Sequence, residues 1–217
     1  MKDLIIVGAS GFGKEVAWLV EKINSDHQLW NLLGFLDDNE ALQGKTINGY
    51  QVLGKTGDAG FYSDAFFVCA VGSAKVRKRI VEKLFSVNNK IQFGTLVDPS
   101  VEVSNTVYIG AGSIVCAHTI LTVNIQIGNH TILNLDCTVG HDAVLKDYVT
   151  AYPSVNISGQ CIIGSEVELG TGANIIQGLQ ITDHTIIGAG TVVIKDILEP
   201  GTYVGIPARK TGKESAS

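Results

Sequence analysis

The residues in this 217-residue chain best suited to moving a proton stand together at positions 141 and 142. His141 is followed directly by Asp142, and Asp136 lies five residues before it. A carboxylate beside an imidazole stabilises the imidazolium, so the neutral ring becomes a better base near neutral pH. A solvated surface histidine is the plainer reading of the same residues. A second set is the stretch GASGFG at 8–13, which follows an apolar run at 4–7 and precedes residues at helical spacing. Glycines at a strand-to-helix turn let backbone N–H groups approach a diphosphate, or they simply punctuate the chain. Asp37 and Asp38 close a second apolar run, where dinucleotide folds place an acid for ribose or sugar hydroxyls and where a polar pair can also just open a loop.

Metal chemistry finds little support. His118, His130, His141 and His184 all fall outside the inward phase of the repeat described below, so none reads as a core histidine. His130 and His184 are three coils apart on one face, roughly 14 Å along the axis at ~4.8 Å per strand, which is too far for one ion. Only a site shared between subunits stays open. Cys69, Cys116, Cys137 and Cys161 form no CxxC pair, so neither a disulfide framework nor a zinc finger is suggested and a reducing cytoplasm fits. A net charge of −5 argues against a protein devoted to nucleic-acid phosphates or anionic membranes. No apolar run approaches the ~20 residues that span a bilayer.

The elements that must position these groups change period partway along the chain. The first part reads as strand, helix from Lys14, strand and strand, followed by a second helix after Ser73 that carries Val76, Ile80 and Leu84. That order implies a small parallel sheet. The basic residues Lys75, Arg77, Lys78, Arg79 and Lys83 read as a solvated helix face. From Val97 to Val193 every sixth residue is aliphatic or alanine, an unbroken run with a chance probability of roughly one in a million at this composition. Four residues after most of these comes a smaller one, such as Ser113, Thr131, Cys137 or Cys161, and glycine often follows directly, as at Gly128 and Gly140. Such a unit suits a parallel β-helix of short flat faces. The cysteines at its small inward positions read as core filler.

The hexad repeat resembles that of the hexapeptide-repeat acyltransferases. With GASGFG, FLDD at 35–38, GHD at 140–142 and GIPAR at 205–209, nearly the whole chain resembles the NeuD/PglD-type sugar acetyltransferases. The resemblance implies an α/β plus all-β fold: a small Rossmann-like domain at 1–90 that binds a nucleotide-sugar, then a left-handed β-helix of about six coils at 91–217 with a C-terminal tail. It implies a homotrimer that uses acetyl-CoA; the cysteine, histidine, charge and hydropathy readings above add a cytoplasmic protein with no metal, no nucleic acid and no membrane. It also implies that His141 is the general base and Asp142 its partner, in place of the glutamate that relatives often carry. Ser10, Gly11, Phe12, Asp37, Asp38, Gly72 and Asn134 would meet the sugar substrate. Thr150, Gly159, Thr171 and Arg209 would meet acetyl-CoA, Thr150 standing where some members have a second histidine.

The expected reaction is N-acetylation of a UDP-, dTDP- or GDP-linked 4-amino-4,6-dideoxy sugar for a bacterial surface glycan such as the O-antigen of lipopolysaccharide. O-acetylation of sialic acid or another sugar hydroxyl is the alternative within the same chemistry. A non-catalytic scaffold that binds a nucleotide-sugar is the alternative outside it, and replacing His141 with Asn separates the two.

Overall fold

The computed structural model describes residues 1–211, and the expected tail beyond them lies outside the described residues. The chain opens with β1 (Lys2–Val7), buried from Leu4 onward, and turns at Gly8 into α1 (Gly11–Asp26). The helix therefore starts three residues before Lys14 and takes Gly11 and Gly13 into its first turn. The cause is steric. A Cβ on Gly13 would lie 2.1 Å from the Gly8 carbonyl oxygen, so only glycine lets the helix close this tightly over the strand end.

β1 pairs in parallel with β2 (Trp30–Leu36) and with β5 (Phe66–Cys69), and β6 (Gln92–Phe93) extends the sheet beyond β5. A hairpin of β3 (Thr46–Ile47) and β4 (Tyr50–Gly54) closes the opposite edge, giving the order β3-β4-β2-β1-β5-β6. Its two-residue turn is Asn48-Gly49, with φ of 47° and 86°, the left-handed pair that matches strand twist. Helix α1 packs on Leu4 and Ile6, and α2 (Ala74–Val87) packs on Ile5 and Val7 on the other side. The stripe α2 buries is Ala74, Arg77, Val81 and Leu84. This differs from the expected Val76, Ile80 and Leu84: Val76 is 44% exposed, while Arg77 has no exposure at all.

From Leu96 the geometry changes to two-residue strands that recur every six residues as far as Val192–Val193. Each pairs in parallel with the strand eighteen residues on, as Ile114 does with Ile132 and Ile120 with Thr138. The result is a left-handed parallel β-helix of triangular section. Its first face carries the strands at 96, 114, 132, 150, 168 and 186, its second those at 102 through 192, and its third those at 108 through 180. The second residue of nearly every strand points inward, as do the small residues four positions later, and from Val115 to Val193 both columns are almost fully buried. Every sixth residue from Gly112 to Gly190 has positive φ. None of the fourteen is β-branched, which is the steric condition for that backbone at each bend.

The two parts share a core. On the first face the outward residues Leu96, Ile114 and Ile132 are buried under the N-terminal sheet and α1, in one cluster with Leu4, Val16, Trp30 and Phe35. At about 2 kcal/mol for each buried aliphatic side chain, three such residues are enough to fix the docking. A hairpin of Thr202–Val204 with Arg209–Lys210 adds to the far end of the same face.

Candidate active site

At the C-terminal ends of β1, β2 and β5 lies a crevice of about 340 Å³, lined by Gly8, Asp37, Asp38 and Thr56 on one side and Val71, Val76 and Ile80 on the other. This is where open parallel sheets hold ligands. Ser10 caps α1 by position, but its side chain makes no capping hydrogen bond and is exposed, beside exposed Gly11 and half-buried Phe12. The first-turn N–H groups are therefore open to an anion. Asp37 accepts from Ala9 N at 2.7 Å and from Asn39 N at 2.8 Å, so its carboxylate first shapes the glycine turn, each oxygen keeping a lone pair for a hydroxyl. Asp38 accepts from Thr56 N and from the Lys83 ammonium, both at 2.8 Å. Burial alone would raise its pKa, but Lys83 and Thr56 outweigh burial and hold it below the usual carboxylate range.

The α2 N-terminus differs. There the Glu168 carboxylate accepts from Ala74 N at 2.8 Å and Ser73 Oγ at 3.2 Å, and Tyr152 donates to its other oxygen at 3.2 Å. One helix end is filled by the protein's own anion while the other is open.

His141 sits on the edge between the second and third faces of the β-helix. Its Nδ1 lies 2.8 Å from Asp142 Oδ2, and both side chains are 47% exposed. Asn124, one coil earlier, donates to Asp142 Oδ1 at 3.2 Å. The hydrogen bond to His141, then that to Asn124, holds the Asp142 carboxyl below its usual range, so it is an anion at neutral pH. An anionic acceptor at Nδ1 puts the ring proton there and leaves Nε2 with its lone pair free. One coil later Gly159 lies under the ring: a Cβ there would come within 2.6 Å of Nε2. The Gly159 N–H makes no backbone hydrogen bond among the described residues.

Several expected neighbours stand elsewhere. Asp136 is on a different edge, where Ser154 donates to its carboxylate at 3.3 Å, so it does not act on His141. Asn134 and Thr171 share that edge between the first and second faces; Asn134 Oδ1 accepts from Leu135 N, and Thr171 is exposed. Thr150 is 1% exposed and donates to the Gly72 carbonyl at 2.7 Å. It joins the two parts of the chain and has no surface to offer a cofactor, which corrects the expectation drawn from its position. Arg209 is exposed beside a cleft of about 230 Å³ lined by Ile194, Lys195, Tyr203 and Lys210. His130 lies outside the inward phase as expected, but the N-terminal domain covers it to 5% exposure, against Tyr148 and Phe93. The four cysteines are buried, and burial pushes the Cys137 thiol up to about 11, away from nucleophilic use. Among the described residues no three acids, histidines or cysteines gather as a metal requires, and no helix is long and apolar enough to cross a membrane.

Sequence reasoning missed Asn124, Glu168, Tyr152 and the role of Arg77. The eighteen-residue coil was the signal for Asn124 and Glu168, which stand one coil from Asp142 and Thr150 respectively.

A nucleotide-type domain docked on a hexapeptide β-helix that bears a His–Asp pair defines an acyltransferase of the hexapeptide-repeat class. The family model of the PglD N-terminal domain matches residues 3–84. The GDP-perosamine N-acetyltransferase of Escherichia coli O157:H7 is 31% identical over 187 residues, covering 85% of this chain and 82% of that one. Among solved structures, the acetyltransferase domain of PglB from Neisseria gonorrhoeae FA1090 in complex with acetyl coenzyme A superposes with a TM-score of 0.86 at 30% identity, covering 97% and 99% of the two chains. WeeI from Acinetobacter baumannii AYE does so with a TM-score of 0.84 at 31% identity, covering 97% and 100%. The chain belongs to the NeuD/PglD-type sugar acetyltransferases and is an acetyl-CoA-dependent sugar N-acetyltransferase.

Proposed function

We propose that the protein transfers the acetyl group of acetyl-CoA to the amine of a nucleotide-linked 4-amino-4,6-dideoxy sugar, in the assembly of a bacterial surface glycan. The observation that carries this is the His141–Asp142 pair, with Nδ1 tied at 2.8 Å and Nε2 free over Gly159. Nε2 takes a proton from the sugar ammonium, the freed amine attacks the thioester carbonyl, and a tetrahedral oxyanion forms. The unengaged Gly159 N–H is placed to hold that oxyanion. As the C–S bond breaks, imidazolium returns the first proton to the CoA thiolate, and the attacking nitrogen releases its second proton to water, which leaves a neutral amide and a CoA thiol. No acyl-enzyme is needed, because the buried Cys137 and Cys161 are inert. The nucleotide lies in the crevice with its diphosphate at Ser10, Gly11 and Phe12 and a sugar or ribose hydroxyl at Asp37 or Asp38. The similarity to the GDP-perosamine enzyme supports an amine acceptor of this class. The Arg209 cleft suits the CoA phosphates.

The working unit in this proposal is a trimer. The N-terminal domain covers the first face, and His141 stands on the opposite edge, so the crevice of one copy serves the base of another. Asn134, on its own edge, would then enter the site from the copy that holds the sugar. The test is CoA thiol release with acetyl-CoA and a panel of UDP-, dTDP- and GDP-linked amino sugars beside free sialic acid. Release with one nucleotide-linked amine, lost in His141→Asn, is the expected result. Release with sialic acid alone, or silence across the nucleotide-linked amines, overturns the proposed acceptor.

A further inference from the structure

Arg77 projects from α2 into the seam between the two parts of the chain and has no solvent exposure. Nε donates to His130 O at 2.8 Å, Nη1 to Val71 O at 2.7 Å and Gly72 O at 2.9 Å, and Nη2 to Tyr148 O at 2.8 Å and Val149 O at 3.1 Å. All five acceptors are backbone carbonyls. None is a carboxylate, which sets this cation apart from the ion-paired Lys78 and Lys83 on the same helix. Two of the carbonyls belong to the turn after β5 whose Val71 lines the nucleotide crevice, and three belong to the β-helix. The same turn is held from the β-helix side by Thr150 Oγ1 on the Gly72 carbonyl and by Glu168 on Ser73 and Ala74. A planar fork of five N–H donors fits five fixed carbonyls, and a lysine ammonium with three donors at one point does not.

We propose that Arg77 is a positioning residue for the sugar-nucleotide substrate: it locks the Val71–Gly72 wall of the crevice to the coils, so that nucleotide affinity depends on the β-helix. This rests on the proposed use of the crevice. It predicts that loosening the lock weakens nucleotide binding and leaves the CoA side, far along the coils at Arg209, unchanged. The test measures the Kd of UDP and GDP, and separately of CoA, by calorimetry on the full-length chain. Arg77→Lys should raise the Kd of the preferred nucleotide at least tenfold and move that of CoA less than twofold. Thr150→Val, near in shape and removing one bond to Gly72, should give the same one-sided shift, about threefold, and decides the matter if Arg77→Lys does not fold. Unchanged nucleotide affinity in the folded variants, or equal weakening of both ligands, overturns the proposal while the crevice reading stands. Failure of the wild-type protein to bind either nucleotide overturns the crevice reading and this inference with it.

Discussion

Gly159→Ala tests whether the imidazole of His141 works from the position the β-helix gives it. The added Cβ would lie 2.6 Å from Nε2, 2.8 Å from Cε1 and 2.9 Å from Cδ2. Carbon contacts are comfortable at about 3.5 Å, so the ring must move by about 1 Å or rotate away. Either movement breaks the 2.8 Å bond to Asp142. The stability cost is small: that bond is exposed to solvent, and replacing glycine where φ is not positive returns about 0.5 kcal/mol. The cost in rate is large, because a 1 Å misplacement of a general base is worth about 100-fold, or close to 2.7 kcal/mol of transition-state stabilisation. Thiol release with saturating acetyl-CoA should fall about 100-fold while Tm moves by no more than a few degrees. In a His141→Asn background the same substitution should add almost nothing. Wild-type turnover in Gly159→Ala refutes the geometry, and an undiminished loss in the double variant shows that the added Cβ obstructs the reaction by a route other than His141.

Two further predictions concern the seam. Burial, and after it the Arg77 charge, pulls His130 from its ordinary 6.5 down to about 4, so the folded chain keeps it neutral. Between those values the unfolded chain binds more protons than the folded one, so stability is full above pH 6.5 and falls as the pH drops toward 4; from pH 7 to 5 the loss is about 2 kcal/mol. Urea midpoints at the two pH values should show it, and in His130→Asn, which also tolerates the left-handed backbone, the His130 part of the slope should vanish; an unaltered slope assigns it to other groups. Ile132→Ala should cost about 2–4 kcal/mol because Ile132 is 1% exposed between the two parts, and a loss under about 1 kcal/mol would mean that the seam is loosely packed.

The β-helix was legible because a hexad coil must bury two columns of side chains at fixed spacing, and those columns show in the sequence whatever else the protein does. What stayed hidden were the outward positions. Leu96, Ile114 and Ile132 are eighteen apart, so they stack on one face, and their apolar character marks where another element docks. Read within the hexads alone, they look like ordinary strand residues. Arg77 was misplaced for a related reason. Charge suggested solvent, whereas its spacing from Ala74, Val81 and Leu84 puts it on the buried stripe of α2. The Asn48-Gly49 pair is a usable turn signal for the β3–β4 hairpin, which the pattern of strands and helices alone does not reveal. His141 and Asp142 stand out by their adjacency and take their roles from the resemblance, which also supplies Gly159. Their contact follows from the coil, since 141 and 159 differ by one turn, but Asn134 and Asp136 are near His141 only in sequence. Seven residues of this β-helix carry the chain across a whole face, from one edge to the next.

That separation leads to a prediction about assembly. In the proposed trimer, a crevice docked on one face and a base on the opposite edge give each chain both halves of a site, joined only to those of other copies. Two inactive variants can then rescue each other. His141→Asn keeps its crevice; Gly11→Asp keeps its base and repels a diphosphate, and the substitution should fold because Gly11 has open space around it and an acid suits the first turn of α1. When the two are unfolded together in equal amounts and refolded, each site draws its crevice and its base independently. About a quarter of the sites then combine an intact crevice with an intact base, and about a quarter of wild-type turnover should return. If both halves of the site came from one chain, no mixture of these variants would regain activity. A recovery near zero, with mixed assemblies demonstrated by native mass measurement, would place crevice and base in the same chain and overturn the shared-site reading.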